Sequence, residues 1–277
     1  LALEDGIAVP ELYGVVAIEH EVQDIASILA DHQSLVIKPA HGSGGNGILV
    51  IDRRMGSNYC KADGSLLTIE AIKHHASNIL SGMYSLGGVP DKAILEYRVD
   101  FDPMFEHISY QGVPDIRIIV FRGIPTAAMT RLPTRDSDGK ANLHQGAIGL
   151  GINIANGATT HAVHYHHLVE RHPDTGYETS GIVIPHWDNI LRLAMQCADT
   201  VGLGYLGVDI VIDRNLGPLM LELNARPGLS IQLANGQGLL KNLQKVEKHV
   251  NLPTDIDARL EFAKGLRQTE DISQVTN

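Results

Sequence analysis

Asp209, Glu222 and Asn224 fall within one stretch, LGVDIVIDRNLGPLMLELNARPG, residues 206–228. It reads as two strands, GVDIVID and PLMLELN, joined by the turn-rich DRNLG. Folded symmetrically about Asn215 and Leu216, the hairpin sets Asp209 opposite Glu222 and Gly207 opposite Asn224. Val208, Ile210 and Ile212 then meet Leu223, Leu221 and Leu219 on the apolar face, and Val211 meets Met220 on the other. Two carboxylates facing each other across a strand pair repel. A divalent cation removes that repulsion. Asp, Glu and an Asn amide oxygen make a hard, all-oxygen donor set, suited to Mg²⁺ or Mn²⁺ shared with a nucleotide's phosphates. The competing reading is a solvated acidic rim.

The cations that such chemistry needs lie upstream. Lys38 ends an apolar strand in LVIKPAHGSGGNGILVI, just before a loop carrying Gly42, Gly44, Gly45 and Gly47. A loop that glycine-rich lets backbone N–H groups come close to a phosphate. It is not a Walker A loop, because it lacks Gly-Lys-Ser/Thr and a strand follows it. Arg117 lies in DIRIIVFRG among Ile and Val, where a charge needs a partner. It either pairs with Asp115 on the same face or uses its planar fork on a phosphate. Glu96 sits in the strand AILEYRV, and simple exposure on an edge strand accounts for it equally well. The polar segment 134–151 has the composition of a loop over a site mouth and carries Asn142, His144 and Gln145. Arg226, two residues past Asn224, is placed either to hold a carboxylate bidentately or to fix its turn. HAVHYHH, residues 161–167, is the densest group of the 14 histidines. Alternation would align His164 with His166, but no acid or cysteine lies at a metal spacing, so a solvated strand is expected.

These side chains need a framework. Strands are expected at 12–18, 35–38, 48–51, 93–99, 115–123 and 124–131, with a further turn and strand in 172–184. Helices are expected at 21–31, at 68–81 with Thr68 as N-cap, at 185–201 with Pro185 in the first turn, and at 232–248 with an interruption at 235–238. The tail beyond Pro253 reads as polar and short-helical at most. With 277 residues, 44% hydrophobic and 19% charged, the chain has an ordinary globular composition. Its net charge of −10 argues against nucleic-acid or anionic-membrane binding. Two cysteines without metal spacing suit a reducing, cytoplasmic setting, and no membrane-spanning run or signal peptide is visible. The first residue is Leu1 rather than Met, which suggests a trimmed start.

The order of these features resembles the ATP-grasp superfamily. The order runs from a strand-lysine-glycine hairpin, through a strand with Glu, an Asp-x-Arg strand and an Asn-bearing loop, to a helix, an Asp strand and a Glu-x-Asn strand. The closest similarity is to alpha-L-glutamate ligase-like proteins, carried by LVIKPAHGSGGNGILVI, DIRIIVFRG, ANLHQGAIG, YLGVDIVID and LELNARPGL. The resemblance implies an α+β ATP-grasp fold whose two lobes, with mostly antiparallel sheets, grip ATP between them. The smaller lobe would be residues 1–95, and the larger, with the metal-binding hairpin, 96–277. Lys38 would contact phosphate under a flap of Gly42, Ser43, Gly44, Gly45 and Gly47, with Glu96 and Tyr97 at the adenine. Asp209, Glu222 and Asn224 would hold Mg²⁺, and Arg117 and Asn142 would touch the moving group. A second ATP-contacting lysine is usual upstream of the one at Lys38; its segment is missing here, consistent with a trimmed start. The implied activity joins a carboxylate to an amine through an acylphosphate, with a small amino acid or peptide as substrate and self-association allowed. The alternatives are a nucleotide-binding module without turnover, or a protein of sugar transfer or small-molecule phosphorylation, since NARPG endings also occur there.

Overall fold

A computed structural model describes residues 2–42 and 44–268; Ser43, an expected flap residue, lies outside the described residues. In chain order the elements are β1 (Leu12–Val16), α1 (Ile25–Asp31), β2 (Leu35–Pro39), β3 (Leu49–Met55), β4 (Asn58–Lys61), β5 (Leu66–Leu67), α2 (Ile69–Leu80), β6 (Ala93–Glu96), β7 (Asp115–Phe121), β8 (Ile124–Leu132), β9 (Ile148–Ile152), β10 (Thr159–His164), β11 (His167–Val169), α3 (Trp187–Val201), β12 (Tyr205–Asp213), β13 (Gly217–Asn224), α4 (Ile231–Ala234), α5 (Leu240–Lys248) and α6 (Ile256–Gln268). They form two compact units, Pro10–Val99, and Leu1–Val9 with Asp100–Asn277. The first residues belong with the larger unit because Ile7 enters its core and the Ala8 carbonyl accepts the Met220 N–H at 2.8 Å. Among the described residues no helix is long and apolar enough to cross a membrane.

In the smaller unit six antiparallel strands run in the order β1-β6-β2-β3-β4-β5. Leu35 and Ile37 of β2, Ile51 of β3 and Leu95 of β6 pack in one core with Ile72, Ala76 and Ile79 of α2. Helix α2 begins where its cap predicts: Thr68 accepts the Ala71 N–H at 3.2 Å. The helix expected at 21–31 is split, a 3-10 stretch over Glu19–Asp24 preceding α1. Strand β6 is not an edge, since it lies between β1 and β2, and Glu96 is buried rather than solvated.

In the larger unit seven antiparallel strands run β11-β10-β9-β8-β7-β12-β13. Alternation sorts their faces. Ile116, Ile118 and Val120 of β7 and Val208, Ile210 and Ile212 of β12 share one core with α3 and α6. Ile119, Ala127 and Met129 point the other way and pack with Ile231, Ala234 and Leu239. That second face also carries Asp115 and Arg117 of β7, Arg131 of β8 and Asp209 of β12.

Several expectations are corrected here. The tail is not a polar fringe: α6 is 13 residues long and inserts Leu260, Ala263 and Leu266 into the main core. Asp255 caps it, accepting the N–H groups of Asp257 and Ala258 at 3.0 Å each. Residues 172–184 hold only isolated bridges at Glu178 and Val183, not a strand. His161–His167 is a hairpin, so His164 faces His167 and does not line up with His166. Its turn residues, Tyr165 and His166, adopt φ of 45° and 73°, a conformation their side chains do not advertise. Helix α3 starts at Trp187, one residue past a left-handed His186, so Pro185 precedes it.

Along β12 and β13 the register is as expected at one end and shifted at the other. Asp209 pairs with Glu222, Val208 with Leu223 and Gly207 with Asn224. A bulge then leaves Leu221 without a counterpart: Ile210 meets Met220, Val211 meets Leu219, and Ile212 meets Pro218. Met220 therefore belongs to the main core rather than to the face of Glu222. The loop closes on Arg214–Leu216, with Asp213 accepting the N–H groups of Asn215 and Leu216 at 2.9 Å each.

Candidate active site

Register builds a row of charge across the larger sheet. Glu222 of β13 pairs with Asp209 of β12, which pairs with Arg117 of β7; beside them Asp115 of β7 pairs with Arg131 of β8. The carboxylate repulsion inferred from the sequence is met by guanidinium groups. Arg117 donates from Nε to Asp209 Oδ1 at 2.7 Å and from Nη2 to Oδ2 at 2.6 Å. Arg131 donates from Nε to Asp115 Oδ1 at 2.6 Å, and from Nη2 both to Asp115 Oδ2 and to Asp209 Oδ2, the latter at 2.8 Å. The Asn224 amide nitrogen adds a fourth donor to Asp209 at 3.3 Å. Arg117 thus pairs with Asp209 and not with its strand neighbour Asp115.

Burial and charge compete at these groups. Asp209 is 2% exposed; burial alone would raise its pKa, but Arg131 and Arg117 outweigh that and hold it below the ordinary carboxylate value. Burial pushes Asp115 up to about 6, against the pull of Arg131. Arg131 is disfavoured by burial and recovered by Asp115 and Asp209, which keep it firmly cationic. Arg131 is the member of this charge row that the sequence reading passed over. Counting back from the Phe121–Ile124 pair at the turn would set Thr130 opposite Asp115; a bulge between Ile119 and Val120 shifts the register by one and brings Arg131 there instead.

Donor chemistry in the row suits a hard cation, with two carboxylates and an amide on one face. Glu222 is exposed, and the Asn224 nitrogen faces Asp209, leaving the amide oxygen for another partner. Asp209 is the crowded member, but unevenly: three of its four N–H donors fall on Oδ2 and one on Oδ1, which keeps a second lone-pair direction for another partner. Among the described residues no group of three or more His, Cys, Asp and Glu side chains is arranged to hold a metal ion. The set depends on Asn224 as its third member.

The remaining candidates of this unit lie on loops. Asn142 accepts the His144 N–H at 3.0 Å and so shapes its own turn, while His144 is exposed. Thr134 closes the loop by donating to the Gly146 carbonyl at 2.8 Å. Arg226 is exposed on the turn after β13. That turn is seated by Pro227: a Cβ on Gly207 would lie 2.6 Å from the Pro227 Cβ, so Gly207 makes room for it.

In the smaller unit, Lys38 Nζ lies 2.5 Å from Glu96 Oε1. Burial raises the Glu96 pKa while Lys38 lowers it, and burial prevails. Tyr97 is half-buried, its N–H bonded to the Glu11 carbonyl at 2.8 Å. The described glycines of the loop include three with positive φ, Gly44 at 64°, Gly45 at 78° and Gly47 at 79°. Gly42 bridges to Ser85.

An antiparallel α+β unit with a lysine and a glycine-rich loop, and another with an Asp-Glu-Asn hairpin, define an ATP-grasp protein. A family model described as sugar-transfer associated ATP-grasp matches residues 1–248, and the chain belongs to that family. It is also similar to proteins named probable alpha-L-glutamate ligase. One from Maridesulfovibrio salexigens is 28% identical over 232 residues, 83% of this chain and 54% of that protein. One from Enterobacter sp. (strain 638) is 30% identical over 146 residues, 52% of this chain and 37% of that protein. The chain thus spans about half or less of the length of these curated relatives. Among solved structures it is similar to D-cycloserine synthetase DcsG, with TM-score 0.48 and 15% identity over 88% of this chain and 66% of that one. It is also similar to D-alanine–D-alanine ligase from Bacillus anthracis, with TM-score 0.44 and 14% identity over 98% and 66%. Likeness at that level adds nothing to the family match.

Proposed function

We propose that the protein is an ATP- and Mg²⁺-dependent carboxylate–amine ligase that forms a peptide-type bond through an acylphosphate, with glutamate or a related amino acid as a substrate. The observation that carries this is the row Glu222–Asp209–Arg117, with Asn224 beside it, on one face of the larger sheet. It sets oxygen donors next to a fixed cation, the pairing that phosphoryl transfer to a carboxylate needs. Family membership and the names of the curated relatives support the same reading.

In this reading the unit Pro10–Val99, rather than residues 1–95, acts as the phosphate-covering lobe, and Leu1–Val9 with Asp100–Asn277, rather than 96–277, as the metal-holding lobe. Lys38 offsets phosphate charge, and the loop of Gly42, Ser43, Gly44, Gly45 and Gly47 covers it. Glu96 and Tyr97 lie at the adenine. Asp209, Glu222 and Asn224 would hold Mg²⁺, which supplies charge neutralisation to the phosphates when bound. Arg117, kept in place by Asp209, meets the transferred phosphoryl group, Asn142 orients it, and Arg226 holds a substrate carboxylate. No side chain needs to act as a nucleophile: the substrate's own carboxylate attacks the γ-phosphorus and expels ADP, and its amine partner then attacks the acyl carbon, expelling phosphate and releasing a proton.

A second reading is favoured by one observation, the crowding of Asp209 Oδ2 by donors from Arg117, Arg131 and Asn224. It is a nucleotide-binding module without turnover, or a phosphotransferase to a small hydroxylated acceptor. An ADP-release screen of full-length protein with ATP, Mg²⁺ and pairs of amino acids separates these. Amide product with stoichiometric ADP supports the ligase; tight ATP binding without ADP, or a phosphorylated acceptor without amide, selects the second reading.

A further inference from the structure

The glycine-rich loop of the smaller unit is fastened at both ends to one short segment, and the residues doing so have no place in the site as described above. At its start, the His41 N–H donates to Asp91 Oδ2 at 2.9 Å, and the His41 ring Nδ1 lies 2.8 Å from Asp91 Oδ1. The Asp91 carboxylate is almost wholly buried, and it also accepts the Lys92 N–H at 2.8 Å. Next to it, the Ala40 N–H donates to the Lys92 carbonyl at 2.9 Å, and Gly42 bridges to Ser85. At its end, His75 Nε2 lies 2.9 Å from the Gly47 carbonyl oxygen. The Tyr84 ring packs on the same glycine: a Cβ there would sit 2.6 Å from Tyr84 Cγ, at a φ of 79°. His75 and Tyr84 support each other, their ring centroids 5.4 Å apart. His75 belongs to α2; Tyr84, Ser85 and Asp91 follow it.

We propose that His75 and Asp91 are positioning residues for the nucleotide's phosphates: they pin the two ends of the loop, at His41 and Gly47, to the platform formed by α2 and residues 81–92 before the nucleotide binds. This rests on the reading of that loop as the phosphate cover. Its physical basis is entropic. Fixing a flexible backbone residue costs about 1–2 kcal/mol, and glycine loses the most freedom of any residue. A loop anchored at both ends before binding has less freedom to lose, and that difference appears as affinity. The effect is specific to the part of the ligand that the loop touches. It favours a nucleotide with phosphates and is indifferent to a nucleoside without them.

Burial lowers the His75 pKa, against the pull of the Gly47 carbonyl, so the ring is neutral near pH 7 and donates through one proton on Nε2. A glutamine reaches about as far and offers the same kind of donor. A phenylalanine keeps a ring beside Tyr84 and offers none. The pair separates the hydrogen bond from the packing.

The test uses the full chain, Mg²⁺, and two probes, the non-hydrolysable ATP analogue AMPPNP and adenosine, titrated by calorimetry into wild type, His75→Phe and His75→Gln. Loop exchange is read in the same three proteins by amide hydrogen–deuterium mass spectrometry. In His75→Phe, AMPPNP binding is expected to weaken about tenfold, with adenosine unchanged and faster exchange over 41–47. In His75→Gln both properties return to within about twofold of wild type. Unchanged AMPPNP affinity in His75→Phe overturns the proposal. So does a parallel loss of adenosine, which marks general damage to the unit. If wild type binds neither probe, the nucleotide reading is what has failed. The pin is then decided by exchange: faster in His75→Phe and restored in His75→Gln keeps it, and no change removes it.

Discussion

Arg117 and Asp209 face each other on neighbouring strands and share two hydrogen bonds, Nε to Oδ1 at 2.7 Å and Nη2 to Oδ2 at 2.6 Å. Both side chains are largely buried, at 11% and 3% exposure. Removing Arg117 leaves Asp209 only partly compensated by Arg131, and removing Asp209 leaves Arg117 in a desolvated strand face beside the like charge of Arg131. Arg117→Met is therefore expected to destabilise the protein by about 2 kcal/mol or more, and Asp209→Asn by a similar amount. In a double-mutant cycle followed by urea unfolding, the two changes should couple by about 1–3 kcal/mol. Additive losses would mean that the pair contributes nothing jointly.

Glu222 behaves differently because it is exposed. Glu222→Ala should leave the unfolding free energy within about 0.5 kcal/mol of wild type and abolish ADP release. Thermal unfolding and a coupled ADP assay on the same preparation measure the two effects. Undiminished turnover would remove Glu222, and with it the metal assignment.

Gly207 has no room for a side chain against Pro227. Gly207→Ala must shift the turn that carries Arg226, at a cost of about 1–3 kcal/mol. It should lower ADP release more than Leu216→Ala, a change on the exposed loop at the far end of the hairpin. Equal activity in the two variants would separate the turn from the chemistry.

His172 supplies a pH dependence with a defined sign. It is 1% exposed, its Nε2 lies 3.0 Å from the Pro133 carbonyl, and its Nδ1 accepts the N–H groups of Asp174 and Thr175. Both ring nitrogens are thus used by the neutral ring. Burial lowers its pKa, the Pro133 carbonyl opposing. The unfolded chain then binds the proton more readily than the folded one, so stability is full above pH 6.5, the ordinary histidine value, and falls as pH drops below it. His75 is shifted the same way. Asp115 runs the other way in this window, its raised pKa of about 6 adding stability as pH falls. The His172 contribution is therefore read as a difference: between pH 7.5 and 5.5, unfolding free energies measured in denaturant should fall more for wild type than for His172→Gln, and parallel profiles would contradict the assignment of a neutral ring.

Local signals carried much of this architecture in the sequence. Thr68 announced α2, the apolar spacing of 187–201 announced α3, and period-two alternation set Asp209 opposite Glu222. What failed had a physical cause in each case. The bulge at Leu221 breaks the period without a glycine or proline to mark it, and so moved Met220 into the core. Tyr165 and His166 turn the chain in a conformation usually left to Gly and Asn. Helix α6 mixes its apolar positions Ile256, Leu260, Ala263 and Leu266 with enough charge to hide the stripe. Glu96 looked like an edge residue because strand order is a tertiary property; only with β1 and β2 on either side does it become a buried partner for Lys38. Arg131 was hidden by the bulge between Ile119 and Val120, which moves it opposite Asp115, and its contact with Asp209 required a third strand.

The most direct test of the ligase assignment is product analysis. Full-length protein is incubated with ATP, Mg²⁺ and a mixture of amino acids including glutamate, and products are identified by mass spectrometry alongside ADP. The account predicts a new amide whose mass equals two substrates less one water, formed in a one-to-one ratio with ADP and phosphate and absent with Glu222→Ala. ATP binding with no ADP for any acceptor, or a phosphorylated acceptor with no amide, would contradict it.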